Sequence, residues 1–80
     1  MEEKQIIDKL QIIFDDLFYE SKPVVSLELS AANVDEWDSL MNIQLMVSIE
    51  QAFKISIPPS EIENMQTVSD LVAVIKAKLL

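Results

Sequence analysis

The sequence predicts an all-α fold: a small four-helix bundle of three longer helices and one short helix, with a long loop between the first and second helices. Three observations support this prediction. Half of the 80 residues are hydrophobic, which suffices for the core of a single small domain over residues 1–80. Glycine is absent and only three prolines interrupt the chain. Apolar residues also recur with helical spacing over long stretches.

The first helix is predicted from an apolar stripe near the start of the chain. Its members recur at helical spacing and share one broad face: Ile6, Ile7, Leu10, Ile13, Phe14, Leu17 and Phe18. Charged residues such as Asp8, Lys9 and Asp15 fall mainly on the other side. Because that polar face is not basic, a helix facing the core is favoured over one lying on a membrane.

The segment from about Glu20 to Trp37 shows no helical period and is predicted to be a loop. A loop of this length is uncommon in a compact domain, which indicates either a functional loop or a misassigned segment. A short helical turn is expected near Ser30 to Val34. We expect scattered apolar side chains to pin the loop over the bundle: Val24, Val25, Leu27, Leu29 and Val34.

The second helix is predicted from about Ser39 to Phe53. Asp38 is its expected N-cap, because a carboxylate accepts hydrogen bonds from the free amides of the first turn and suits the positive helix end. Pro58 and Pro59 end the helical pattern, since neither has the amide that a helix needs. The predicted apolar face of this helix is wide: Leu40, Ile43, Leu45, Met46, Ile49, Ala52 and Phe53.

Two capping boxes predict the remaining helices. Ser60 with Glu63 opens a helix of little more than one turn, which ends near Met65. Thr67 with Asp70 opens the final helix. The inward residues of that final helix are expected to be Val68, Leu71, Val72, Ile75 and Leu79.

The charge balance restricts the partners. Fourteen acidic residues stand against six basic ones, for a formal net charge of −8. Such a surface disfavours nucleic acid and anionic membranes and favours basic protein patches, although negative charge also serves solubility alone. No apolar run reaches membrane-spanning length and the acidic start is unlike a secretory signal. We expect a cytoplasmic monomer without membrane insertion.

Ser39 has three candidate roles: helix-start residue, catalytic nucleophile, or attachment point. Catalysis is disfavoured because the chain has no histidine to act as its base and no cysteine. Asp35, Glu36 and Asp38 could hold a hard cation weakly, but the glycine of a calcium loop is missing, so no metal site is expected. A phosphate ester on Ser39 would suit the free amides at a helix N-terminus.

The context of Ser39 resembles the acyl carrier protein family. The resemblance covers essentially the full chain, and its specific part is the run after Asp38: Ser39-Leu40, then Leu45, Ile49, Glu50, Phe53, Ile55, Ile57 and Pro58, and finally Thr67-Val68. It implies that a phosphopantetheinyl transferase moves 4′-phosphopantetheine from coenzyme A onto Ser39. The thiol of this arm would carry acyl or aminoacyl groups as thioesters, so the chain is a carrier and not an enzyme.

The resemblance also assigns roles to neighbouring residues. Asp38 matches an aspartate implicated in holding the transferase's Mg²⁺, and Leu40 is placed beside the arm, although a plain core leucine explains Leu40 equally well. Partners would be the transferase and the enzymes that load and process acyl or aminoacyl groups. The implied partner surface comprises Asp35, Glu36, Leu40, Ile43, Val47, Glu50, Glu61 and Glu63.

The chain departs from the best-known fatty-acid carriers at Trp37. Those carriers have "GADSL" where this chain has "EWDSL". We expect Trp37 to anchor the long loop rather than to contact the arm. The "WDSL" pattern looks more like discrete carriers of polyketide, aminoacyl or polysaccharide-linked pathways than like the housekeeping fatty-acid carrier, and fatty-acid synthesis stays an open option. Two alternatives remain: an acidic helical interaction module without a cofactor, and a small enzyme or metal-dependent regulator.

Overall fold

The computed structural model describes residues 2–79 and confirms the all-α prediction. Its α helices are α1 (Glu3–Leu17), α2 (Ser39–Phe53), α3 (Pro59–Ile62) and α4 (Val68–Leu79), and a 3₁₀ helix (Ala31–Asn33) lies in the long loop. Helix α1 packs on α2 and α4, while α3 lies against α2. None of the helices in the described part of the chain has the length and apolar character needed to cross a bilayer.

The core is formed by the predicted apolar faces of α1 and α4 and by one side of α2. Buried residues of α1 and the turn after it are Ile6, Leu10, Ile13, Phe14 and Phe18. Those of α2 are Leu45, Met46, Ile49 and Phe53, and those of α4 are Val68, Leu71, Val72 and Ile75. Because these faces close on one another, they form one continuous apolar cluster.

The predicted apolar face of α2 was too wide. Leu40, Ile43 and Ala52 are exposed, whereas the spacing had placed them with the core residues. The reason is geometric: α2 is apolar around most of its circumference, but its neighbours bury only the side that carries Leu45, Met46, Ile49 and Phe53. Leu40 is therefore not a core leucine.

The loop is pinned as predicted, except at Val24. Val25 and Val34 are buried and Leu27 and Leu29 pack partly against the core, but Val24 points into solvent. The Gln11 side chain explains this: its Nε2 donates to the Pro23 carbonyl (3.0 Å) and its Oε1 accepts from the Val25 amide (2.8 Å). These two bonds hold the backbone on either side of Val24 against α1, with Val25 buried and Val24 exposed.

The capping predictions were right for two helices and wrong for the third. Asp38 caps α2. At the start of α4 the predicted box forms: the Asp70 amide donates to Thr67 Oγ1 (3.0 Å), and the Thr67 amide donates to Asp70 Oδ2 (3.3 Å). The box predicted at Ser60 does not form. Helix α3 begins at Pro59, two residues before the start that an N-cap at Ser60 implies, and it ends at Ile62 rather than near Met65. A proline at the first helical position has a suitable fixed φ and lacks an amide that would have no partner there.

Candidate functional site

Ser39 is the first residue of α2, and its side chain is exposed. Asp38 directly before it has an extended backbone, and its Oδ1 accepts a hydrogen bond from the Met41 amide at 2.9 Å. The remaining amides of the first turn and the positive end of the helix dipole favour negative charge here. The hydroxyl of Ser39 is thus accessible at a position that suits a phosphate ester.

A groove of about 870 Å³ begins beside Ser39. Its walls are the 3₁₀ helix of the loop, the first turns of α2, and α3 with the turn that follows it. The lining is mostly apolar and consists of Ala31, Ala32, Trp37, Asp38, Ser39, Asn42, Ile43, Pro59, Ile62, Glu63, Met65 and Gln66. A volume in this range is typical of sites that hold small molecules.

Backbone hydrogen bonds join the loop wall to the wall beyond α3. The Ala31 amide donates to the Gln66 carbonyl (2.8 Å), and the Val68 amide donates to the Leu29 carbonyl (2.9 Å). These bonds flank an isolated antiparallel bridge between Ser30 and the Thr67 that opens α4. The long loop is therefore part of the structure that shapes the groove.

Trp37 closes the inner side of the groove. It is 4% exposed, and its ring meets Phe14 edge-on at 5.4 Å between centroids, which confirms its predicted role as the anchor of the loop. Its indole Nε1 donates to Asn42 Oδ1 at 2.9 Å. Asn42 Nδ2 in turn donates to the carbonyl of Ile62 on α3, at 3.4 Å. One asparagine thus links the loop, α2 and α3.

Sequence reasoning missed Asn42. A signal was present: Asn42 stands three residues before Leu45 and seven before Ile49, at a core-facing position of α2. A polar side chain at such a position needs a buried partner, and the single tryptophan of the chain lies five residues earlier.

The apolar members of the predicted partner surface form one exposed strip. Leu40, Ile43 and Val47 are 68%, 53% and 44% exposed. They lie at i, i+3 and i+7 on the side of α2 that faces away from the core. The strip, defined by these three residues, begins directly after Ser39.

The acidic members of that surface differ in their exposure and in the contacts that they make. Asp35 and Glu63 are exposed. Glu36 accepts from the Ser21 amide (2.7 Å), and Glu50 accepts from the Ile57 amide (2.9 Å). Glu61 lies 3.3 Å from Lys78 Nζ, in an ion pair that ties α3 to α4. Glu36, Glu50 and Glu61 therefore also stabilise the fold.

Within residues 2–79 no cluster of acidic side chains is suited to hold a metal ion.

The chain is similar to a described protein family and to a known acyl carrier protein. A family profile described as "Phosphopantetheine attachment site" matches residues 36–75. The acyl carrier protein of Thermosynechococcus vestitus is 32% identical over 80 residues, which cover 99% of this chain and 98% of that protein.

Solved structures show the same fold. The solution structure of the holo acyl carrier protein from Geobacter metallireducens aligns with a TM-score of 0.81 at 36% identity and covers 91% of this chain and 84% of that one. The crystal structure of the acyl carrier protein from Thermotoga maritima aligns with a TM-score of 0.85 at 28% identity, over 99% of this chain and 92% of the other.

Proposed function

This chain belongs to the acyl carrier protein family, and from that premise we propose that Ser39 is the residue to which its 4′-phosphopantetheine is attached. Proteins of this family are carriers and not enzymes, and a phosphopantetheinyl transferase modifies them. The single observation that supports Ser39 is its accessible hydroxyl on the first residue of α2, at the mouth of the groove. Residues 1–80 would act as one carrier domain.

The residues around Ser39 suit this attachment. Asp38 holds the first turn of α2 in place through the Met41 amide, so the serine hydroxyl is presented on a rigid element. The free amides of that turn stabilise the negative charge of the phosphodiester. When attached, the arm supplies the thiol that this cysteine-free chain lacks.

The proposal is tested by intact-mass measurement. The protein is incubated with coenzyme A, Mg²⁺ and a broad-specificity transferase, and its peptides are then mapped. We expect a gain of one phosphopantetheine group on the peptide that contains Ser39. No gain, under conditions that modify a control carrier, would contradict the proposal and favour an acidic interaction module without a cofactor.

Asp38 is proposed to have two roles, helix capping and orientation of the transferase's Mg²⁺, and substitutions separate them. Asp38→Asn keeps a capping oxygen and loses the charge, so we expect stability within about 0.5 kcal/mol of wild type but loading slower by about tenfold or more. Asp38→Ala also loses the cap and should cost about 1 kcal/mol in addition. Urea unfolding and initial loading rates measure the two effects. Equal loading of the Asn variant and wild type would refute a role for the charge.

The strip of Leu40, Ile43 and Val47 is proposed as the face on which the transferase and the acyl- or aminoacyl-loading and processing enzymes dock. Its support is the exposure of three apolar side chains that follow Ser39 on α2. Two exposed acids lie close by: Asp35 is four residues before Ser39 in the chain, and Glu63 lines the groove. An acidic surface attracts a basic patch, and such contacts weaken as salt is raised.

Truncation of the strip should weaken docking. We expect Leu40→Ala to raise the Kd for the transferase about fivefold to tenfold, because an apolar contact beside the reacting residue is lost. The matched control is Ile12→Ala, since Ile12 is 64% exposed but lies on α1. Surface plasmon resonance on the unmodified protein gives both values. A similar loss for Ile12→Ala would show that the strip is not the docking face.

The cargo is proposed to be an acyl or aminoacyl group of a specialised pathway, polyketide, aminoacyl or polysaccharide-linked, with fatty-acid synthesis as the second candidate. The support is the bulky Trp37 before Asp38. The carrier would work as a monomer in the cytoplasm, and its net charge of −8 opposes self-association. The mass of the thioester on protein isolated from its native cells identifies the cargo.

A further inference from the structure

We propose that Trp37, held in place by Asn42, sets the depth of the groove beside Ser39 and keeps an attached alkyl chain out of the bundle interior. The inference rests on the proposed attachment at Ser39. It deepens that function by naming the cargo class: short acyl or aminoacyl groups that lie in the groove, rather than long chains sheltered among the helices.

The first support is the position of the indole ring. Trp37 lines the groove on one side and packs against Phe14 on the other, and its ring lies 6.2 Å from that of Phe18. Phe14 and Phe18 also meet edge-on at 5.1 Å. Three aromatic rings therefore fill the space between the groove and the core.

The second support is the hydrogen bonding that fixes the ring. Trp37 is buried, so breaking its bond to Asn42 Oδ1 would leave the indole N–H without an acceptor. A buried polar group without a partner is unfavourable, and moving the ring aside would also disturb the bond from Asn42 to Ile62 on α3. The ring is thus held both by packing and by a directional bond.

The third support is the burial of the side chains between the groove and the helices. Met65, the other buried residue of the groove lining, is 2% exposed. Leu45 and Met46 of α2 are fully buried, belong to the same core cluster and do not line the groove. An alkyl chain entering from Ser39 would have to displace packed side chains, which close-packed interiors resist.

The wild-type protein provides the direct test. It is loaded with acetyl- or octanoyl-phosphopantetheine, and intact mass confirms the modification. In isotope-filtered NMR spectra we expect no contact between the terminal octanoyl methyl and Phe14 or Met46. Contacts to Phe14 or Met46 would overturn the inference.

Trp37→Ala provides the converse test. Removing the ring leaves an apolar space at the floor of the groove, and apolar ligands fill such spaces. We expect octanoylation to raise the melting temperature of this variant, relative to its acetyl form, by roughly 5 °C or more beyond the rise that it causes in the wild type. An equal rise in the wild type and in a folded variant would overturn the inference. If the variant does not fold, the wild-type spectra decide alone.

A chemical attachment keeps this test independent of the transferase. The chain has no cysteine, so a Ser39→Cys variant carries a single thiol that methyl or octyl methanethiosulfonate converts to a mixed disulfide. The same absence of octyl contacts to Phe14 and Met46 is expected. Failure of enzymatic loading would thus count against the proposed attachment alone, whereas octyl contacts to those core residues would count against the depth limit alone.

Discussion

Ser39→Ala is expected to abolish phosphopantetheine loading completely and to leave the fold intact. The variant lacks the only atom of residue 39 that can form the phosphodiester. Its stability should stay within about 0.5 kcal/mol of wild type, because the side chain is exposed and alanine favours helix. The cap at the start of α2 comes from Asp38 and is unchanged. Intact mass measures the loading and urea unfolding measures the stability.

Ser60→Ala is the matched control for this experiment. Ser60 is also an exposed serine in the first turn of a helix, but it lies on α3 and does not line the groove. It should load at the wild-type rate. A mass gain in the Ser39→Ala variant would place the attachment on another hydroxyl and refute the assignment, whatever the stability of the protein.

Phe14→Ala should produce the largest loss of stability. Phe14 is fully buried on α1 and meets both Phe18 and Trp37 edge-on, so its removal leaves a cavity between α1 and the loop. Such truncations cost about 3–5 kcal/mol. An 80-residue domain has little more than that in total, so the variant should melt roughly 15 °C or more below wild type.

Ile12→Ala is the control on the same helix. Ile12 lies two residues before Phe14 but is exposed, so this substitution should change the free energy of unfolding by no more than about 0.5 kcal/mol. Circular dichroism during urea unfolding gives both values. A loss below about 1 kcal/mol for Phe14→Ala would mean that the three aromatic rings are not the centre of the core.

Trp37 is expected to affect the binding of cargo in the groove as well as the stability of the fold. The same ring that fills the core beside Phe14 also lines the groove beside Ser39. A substitution there is expected to change both the melting temperature and the cargo that the carrier shelters, whereas Phe14 does not line the groove and should affect stability alone.

Local chemistry explains which parts of the fold could be predicted. The start of α2 follows from Asp38, which caps the first turn, and its end at Phe53 follows from Lys54, whose left-handed backbone terminates the helix. The box of Thr67 and Asp70 opens α4 for the same reason: its hydrogen bonds join residues three apart. The 3₁₀ turn at Ala31–Asn33 was also predicted. Each of these features depends on neighbours in sequence.

By itself, then, the sequence determined the all-α class, the three longer helices and the candidate serine, because periodicity and caps are properties of neighbouring residues, and its resemblance to known carriers indicated the family. Only the tertiary structure decided that Leu40 and Ile43 lie outside the core, that Ala31 pairs with Gln66, and that Asn42 joins Trp37 to α3. The physical reason is that burial and long-range hydrogen bonds depend on which surfaces meet, and a helix that is apolar around most of its circumference does not specify which side it will bury.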